Sequence, residues 1–203
     1  MIDRRSVLAG LAGGLALPAL ARAATPTRVA PGLLRSAAAL GIRVSGGGPN
    51  TVIEFFDYNC AYCRQSLRDF QALVAADPRL NYILVNYGVL GQASAEAARV
   101  ALAFAGAQGP ARYFAFHQAL LGGFGGASGE RALALAERQG ADRASLAQAS
   151  AGGAALSRHE AGVALGRTLA LQATPSFIIN GQLFHGQIGL ALKQRALAPA
   201  ALS

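Results

Sequence analysis

Cys60 and Cys63 are the only cysteines in this 203-residue chain, and they stand three positions apart. Such a pair can serve as a structural disulfide, as part of a metal site or as a reversible redox couple. A bond between residues this close closes a tiny loop, removes little entropy from the unfolded chain and adds little stability. Structural staples in exported proteins normally join distant segments. A structural zinc ion needs four ligands, as two such pairs or as one pair with histidines. His117, His159 and His185 are far apart and lack ligand spacing, so each reads as a surface or packing residue. Redox exchange is the remaining use, and it needs a stabilised, accessible thiolate.

The flanking segments place the pair. Thr51-Val52-Ile53-Glu54-Phe55-Phe56 is β-branched and aromatic, the composition of a buried strand. Arg64 to Ala76 carries Leu67, Phe70, Leu73 and Val74 at helical spacing, with Pro78 just beyond, as expected after a helix stop. The cysteines therefore fall at a strand-to-helix turn, with Cys60 near the helix N-terminus. Unpaired N–H groups and the helix dipole favour a thiolate there. Spacing three on a helix brings the second sulfur beneath the first, so Cys60 would attack a partner disulfide and Cys63 would resolve the mixed disulfide.

Leu80 to Tyr87 predicts a second strand, giving a β-α-β unit that favours parallel pairing and a right-handed crossover. Helices are predicted over Gly32 to Ile42, Ala93 to Ala107, Pro110 to Leu121, Gly129 to Gln139, Arg143 to Ser150 and Gly153 to Leu171. Gly46 to Asn50 reads as a turn and Gly122 to Gly126 as a loop. Ser176 to Asn180 and Gln182 to His185 flank Asn180-Gly181, a hairpin signal. Gln187 to Leu197 predicts a closing helix.

Phe55-Phe56-Asp57-Tyr58-Asn59-Cys60-Ala61-Tyr62-Cys63 resembles the active-site segment of the DsbA family of exported thiol-disulfide oxidoreductases. Ala173-Thr174-Pro175-Ser176-Phe177-Ile178-Ile179-Asn180-Gly181 resembles that family's cis-proline segment facing the cysteines. The resemblance spans roughly residues 44 to 197. It implies an α/β, thioredoxin-like mixed sheet with a helical insertion, about residues 92–171, between its βαβ and ββα halves. It also implies an exposed nucleophile at Cys60, a buried resolving thiol at Cys63, and a substrate-pairing backbone at Thr174 beside Pro175. Proline has no N–H, which leaves that backbone edge unobstructed. Glu54, six residues before Cys60, matches a buried acid that helps proton movement, and an acid there could take a proton from Cys63. Asp57 and Asn59 are expected to shape the turn, and Tyr58 and Tyr62 to line the peptide surface.

Ala61-Tyr62 departs from the Pro-His pair of the best-known oxidase of that family. A histidine there would add a positive partner for the thiolate, so a less oxidising couple is expected. Ala-Tyr with Thr174 before the proline looks more like the isomerases and the copper-tolerance-associated relatives. Oxidase, isomerase and reductase share these residues, so the direction stays open. The expected partners are unfolded or misfolded exported proteins and a membrane redox protein that recycles the pair; no cofactor or metal is expected. A non-catalytic peptide-binding or chaperone module, or a copper-handling protein, on the same fold is the alternative.

Composition sets the frame. Hydrophobic content of 53% with 14% charged residues excludes a disordered chain, and 25 glycines without a triplet period exclude collagen. Met1 to Leu8 with Arg4-Arg5, an apolar Ala9 to Leu20 and a small-x-small site at Ala21-Arg22-Ala23 predict a cleaved leader, residues 1–23, of twin-arginine type. The apolar stretch is too short to span a bilayer; a periplasmic or otherwise exported location follows, without stable membrane insertion. Residues 24–48 read as an extension with one short helix, too small for a separate domain, and 49–203 as the single domain. The formal charge of +8 is spread over scattered arginines rather than runs, so nucleic-acid binding is not expected.

Overall fold

Residues 27–198 are described by a computed structural model; the expected leader lies outside them. In order they form β1 (Thr27–Arg28), α1 (Pro31–Leu40), β2 (Ile42–Ser45), β3 (Thr51–Phe56), α2 (Ala61–Ala76), β4 (Asn81–Asn86), α3 (Gln92–Gly122), α4 (Gly129–Arg138), α5 (Arg143–Ala151), α6 (Gly153–Thr168), β5 (Ser176–Ile179), β6 (Gln182–Phe184) and α7 (Leu190–Leu197). The strands make one mixed sheet in the order β1-β6-β5-β3-β4-β2. β3 runs parallel to β4 and antiparallel to β5. This is a thioredoxin-like α/β fold with helices α3 to α6 inserted between its halves.

β3 is central because both of its faces are apolar. Val52 and Phe56 join the core under α2, α3 and α7, while Ile53 and Phe55 join the core under α1 and α6. A strand covered on both faces must read as a continuous hydrophobic run, and Thr51–Phe56 does so except at Glu54. That exception places one carboxyl on the α2 side of the sheet. At the far end of β5, Asn180 (φ 47°) and Gly181 (φ 80°) make the hairpin into β6, a turn needing positive φ at both positions.

The structure differs from the sequence reading in the N-terminal segment and at some helix ends. The expected extension 24–48 is, over its described residues 27–48, part of the sheet: β1 pairs with β6, and β2 pairs with β4 across a register shift between Arg43 and Ser45. The helix expected to reach Ile42 stops at Leu40. Gly41 then passes so close to the sheet that a Cβ would lie 2.2 Å from Ile83 Cγ2, so the chain turns there and Ile42 starts a strand. The two helices expected between 93 and 121 are two halves of α3, bent at Gly109 (φ 81°) and Pro110. α6 ends at Thr168 and α7 starts at Leu190, each inside the expected bounds.

Candidate redox site

Cys60 is the residue that caps the N-terminus of α2, in extended conformation (φ −85°, ψ 118°), and Cys63 lies in the first turn. Both are free thiols. Cys63 is fully buried, and Cys60 is itself only 6% exposed. It is less open than an exposed nucleophile because the turn tucks it against the segment before β5. Its Sγ donates to the Thr174 carbonyl at 3.1 Å, and the Thr174–Pro175 peptide is cis. Thr174, Pro175 and both cysteines are thus brought together across 114 residues of sequence.

The two thiols are driven in opposite directions. Hydrogen bonding from Cys63, aided by the Thr174 side chain and the Cys63 and Tyr62 N–H groups, holds Cys60 down to about 6, although burial opposes it. Burial above all, then the bond to Cys60 and the Glu54 charge, pushes Cys63 far up. A cysteine at a helix N-terminus is therefore a thiolate near neutrality, while its partner one turn below keeps its proton.

The turn is held by its polar residues. Asp57 accepts from the Asn59 N–H, from the Val89 and Leu90 N–H groups and from the Ser94 hydroxyl, at 2.7 to 2.9 Å. Asn59 bridges to Ser94 and to both backbone groups of Ala127. Arg64 donates to the Leu121 and Gly125 carbonyls. These bonds tie the redox turn to β4's exit and to the loop between α3 and α4. Asp57 and Asn59 carry the turn; Ser94 and Arg64 were not legible as part of it, since nothing local marks their reach.

Beneath the pair lies a buried polar cluster. Glu54 is 4% exposed and accepts from the Tyr82 hydroxyl at 2.6 Å. Burial raises its pKa, and the Tyr82 bond and the Lys193 charge resist that rise. Lys193 is fully buried, donates to Asp69 at 2.7 Å and to Ser66 at 3.3 Å, and lies 4.2 Å from the centre of the Phe177 ring. Lys193 is the chain's single lysine, which reads at first as composition bias; its solitude was the one signal of a special place. His117, on α3, is also buried beside this cluster, His159 is buried against the Gly88 carbonyl, and His185 is exposed.

The two tyrosines of the motif part company. Tyr62 is 60% exposed beside Cys60, but Tyr58 is buried, packed edge-to-face on Phe56 at 5.0 Å; it is a core residue and does not line the peptide surface. Tyr58 occupies the inward side of a turn whose outward side belongs to Asn59. Among the described residues the other exposed large apolar side chains are Val89, Leu90 and Phe124. Val89 and Leu90 are tethered to Asp57, and Phe124 lies in the loop that Arg64 and Asn59 hold. A cavity of about 850 Å³ lies at the opposite end of β3 and β4, lined by residues that include Arg35, Arg43 and Asn81. It takes no part in the cysteine chemistry.

Comparison with known proteins places this geometry. A family model described as thioredoxin matches residues 47–198. A thioredoxin-like oxidoreductase from Silicibacter pomeroyi DSS-3 is 34% identical, covering 80% of this chain and 94% of its own, with TM-score 0.73. The thiol-disulfide exchange protein alpha-DsbA2 from Wolbachia pipientis is 29% identical, with 75% and 83% covered and TM-score 0.66. The catalytic domain of Proteus mirabilis ScsC, 19% identical over 80% of this chain and 92% of that domain, shares the fold with TM-score 0.68. No curated protein matches. With its sheet order, its helical insertion and its cysteine turn, the chain belongs to the thioredoxin family and stands among the DsbA-like members.

Proposed function

We propose that the protein is an exported thiol-disulfide oxidoreductase acting on polypeptides through Cys60 and Cys63. The observation that carries the reading is the placement of Cys60: a sulfur at the cap of α2, 3.1 Å from the Thr174 carbonyl, above a protonated Cys63. The Cys60 thiolate attacks a disulfide of the client. One client sulfur leaves as a thiolate and the other stays bonded to Cys60. Cys63 then loses its proton, attacks Cys60 Sγ, and the second client sulfur leaves; the client is reduced by two electrons, and the pair that supplied them is left oxidised as a Cys60–Cys63 disulfide. Run backwards, the same steps oxidise a dithiol.

Glu54 is the acceptor for the Cys63 proton in this scheme. Its raised pKa brings it nearer the operating range of a general base. The backbone at Thr174 offers the edge on which a client strand lies, and Tyr62, Val89, Leu90 and Phe124 offer apolar contact around the sulfur. Residues 1–23 act as the removable leader, and a membrane redox protein restores the working state of the pair.

Trapping tests the reading. The Cys63→Ser variant should accumulate a mixed disulfide between Cys60 and a cysteine-containing peptide, and Cys60→Ser should form none. Trapping through Cys63 in the Cys60→Ser variant would overturn the assignment of nucleophile, and peptide binding and client protection undiminished without either cysteine would replace exchange by a binding function.

A further inference from the structure

The cavity of about 850 Å³ at the end of the sheet away from Cys60 has walls of definite chemistry. Its floor is the α1 face of three neighbouring strands. Arg43 on β2 stands opposite Ile83 on β4, and Ile83 stands opposite Ile53 on β3; two residues along, Asn81 stands opposite Thr51. β2 takes an extra residue against β4 between Arg43 and Ser45, and such bulges re-aim side chains at a sheet edge. α1 supplies one wall, which carries Arg35. The amide end is bonded within itself: Asn81 Nδ2 donates to the Thr51 hydroxyl at 3.1 Å, and the Thr51 N–H donates to Asn180 Oδ1 at 2.9 Å. The arginines are the groups left to meet a ligand.

Arg35 and Arg43 line the cavity with no acidic residue beside them in its wall, and neither has an ion-pair partner among the described residues. Arg28 adds a third cation nearby, its Nη1 3.9 Å from where a Cβ on Gly181 would lie. Charges of one sign in a cleft with low-dielectric walls focus a field that draws the opposite charge, and the planar guanidinium fork matches a carboxylate. A volume within about 300–1,000 Å³, an apolar floor and a few convergent polar groups are the marks of a small-molecule site. We propose that this cavity binds a small organic carboxylate, its acid group held by Arg35 and Arg43 and its apolar body lying on Ile53 and Ile83. Other occupants fit worse. β3 and β4 are each paired on both sides, so the floor offers a peptide no free backbone edge. Among the described residues, the exposed large apolar side chains that could enter a bilayer are Tyr62, Val89, Leu90 and Phe124, and none lines this cavity. The proposal does not depend on the cysteine chemistry.

Calorimetric titration of the purified chain with octanoate tests it. Inorganic phosphate supplies the charge without the apolar body, and octanamide the apolar body without the charge. Octanoate should bind saturably at one site per chain, at least tenfold tighter than either control. Arg35→Gln and Arg43→Gln should each weaken it at least fivefold, and Arg138→Gln, an exposed position on α4, less than twofold. Phosphate or octanamide binding as tightly as octanoate, or equal weakening by all three substitutions, overturns the proposal. Capture of the chain by phosphatidylglycerol vesicles without saturable octanoate binding would make this end a membrane-facing surface and overturns it as well. A crystal structure of the unaltered protein with octanoate decides it even if a variant does not fold: a carboxylate on Arg35 and Arg43 supports the site, and an empty cavity overturns it.

Discussion

Cys60 and Cys63 are chemically one residue type under opposite fields. The sign of each shift yields a measurable titration. With its pKa lowered to about 6, Cys60 should be mostly thiolate at pH 7, so thiolate absorbance and the alkylation rate should fall as pH drops through about 6. Because the folded value lies below the free thiol value of about 8.5, the stabilisation it lends the reduced fold is present in full above that free value. It is lost as pH falls toward 6. Thermal unfolding of the reduced chain and of Cys60→Ser should therefore differ most at pH 9 and converge near pH 6. Glu54→Gln should slow release of the client by on the order of 100-fold at pH 7, with attack by Cys60 retained. Comparable loss in both steps would remove Glu54 from the proton path. The cysteines were legible because their spacing excludes other uses, and Glu54 because a carboxyl in an apolar strand stands out. Lys193 and His117 were not, since each reaches the site from an element whose own pattern says nothing of its neighbours.

Among the elements, the most consequential miss was the N-terminal segment. Ile42–Ser45 is too short, and too close to a helix, for period-two alternation to declare it a strand; the exposed edge of β4 makes it one. Gly41 is the hinge of that arrangement. Gly41→Ala should destabilise the fold by about 1–3 kcal/mol through overpacking against Ile83. Gly32→Ala, at a site with nothing within 4 Å, should be neutral or stabilising. Chemical denaturation of both variants checks the contrast. Asp57 is the corresponding joint on the other side of the sheet. Asp57→Ala leaves three part-buried N–H groups without their acceptor and should cost about 1–3 kcal/mol. By loosening the cap it should also raise the Cys60 titration toward that of a free thiol.

At the scale of the whole molecule, β3 separates two unlike ends. Cys60 and four exposed apolar side chains stand at one end, and arginines and amides line the cavity at the other. An apolar rim concentrated around a nucleophile marks an interaction surface. Phe124→Ala should accordingly leave reaction with a small disulfide such as glutathione within twofold. It should raise the half-saturating concentration of an unfolded client about threefold to tenfold. Equal effects on both substrates would place Phe124 outside the client surface. The β-α-β unit, the run of helices after it and the closing hairpin were legible from periodicities in chain order, and the thioredoxin-like sheet from the family resemblance, but the outer strands β1 and β2 were not. The rim was not, because the segments carrying Val89, Leu90 and Phe124 are tied to the cysteine turn through bonds of Asp57, Asn59 and Arg64 that no local pattern marks.

Lys193 gives the protein an unusual property for the bench. Since the only side-chain amine is sealed under α7, amine-selective labels should spare every side chain of the native protein and mark position 193 once that helix lifts. Mass spectrometry after a brief acylation pulse then counts opening events at the floor of the redox pair, with no probe to engineer.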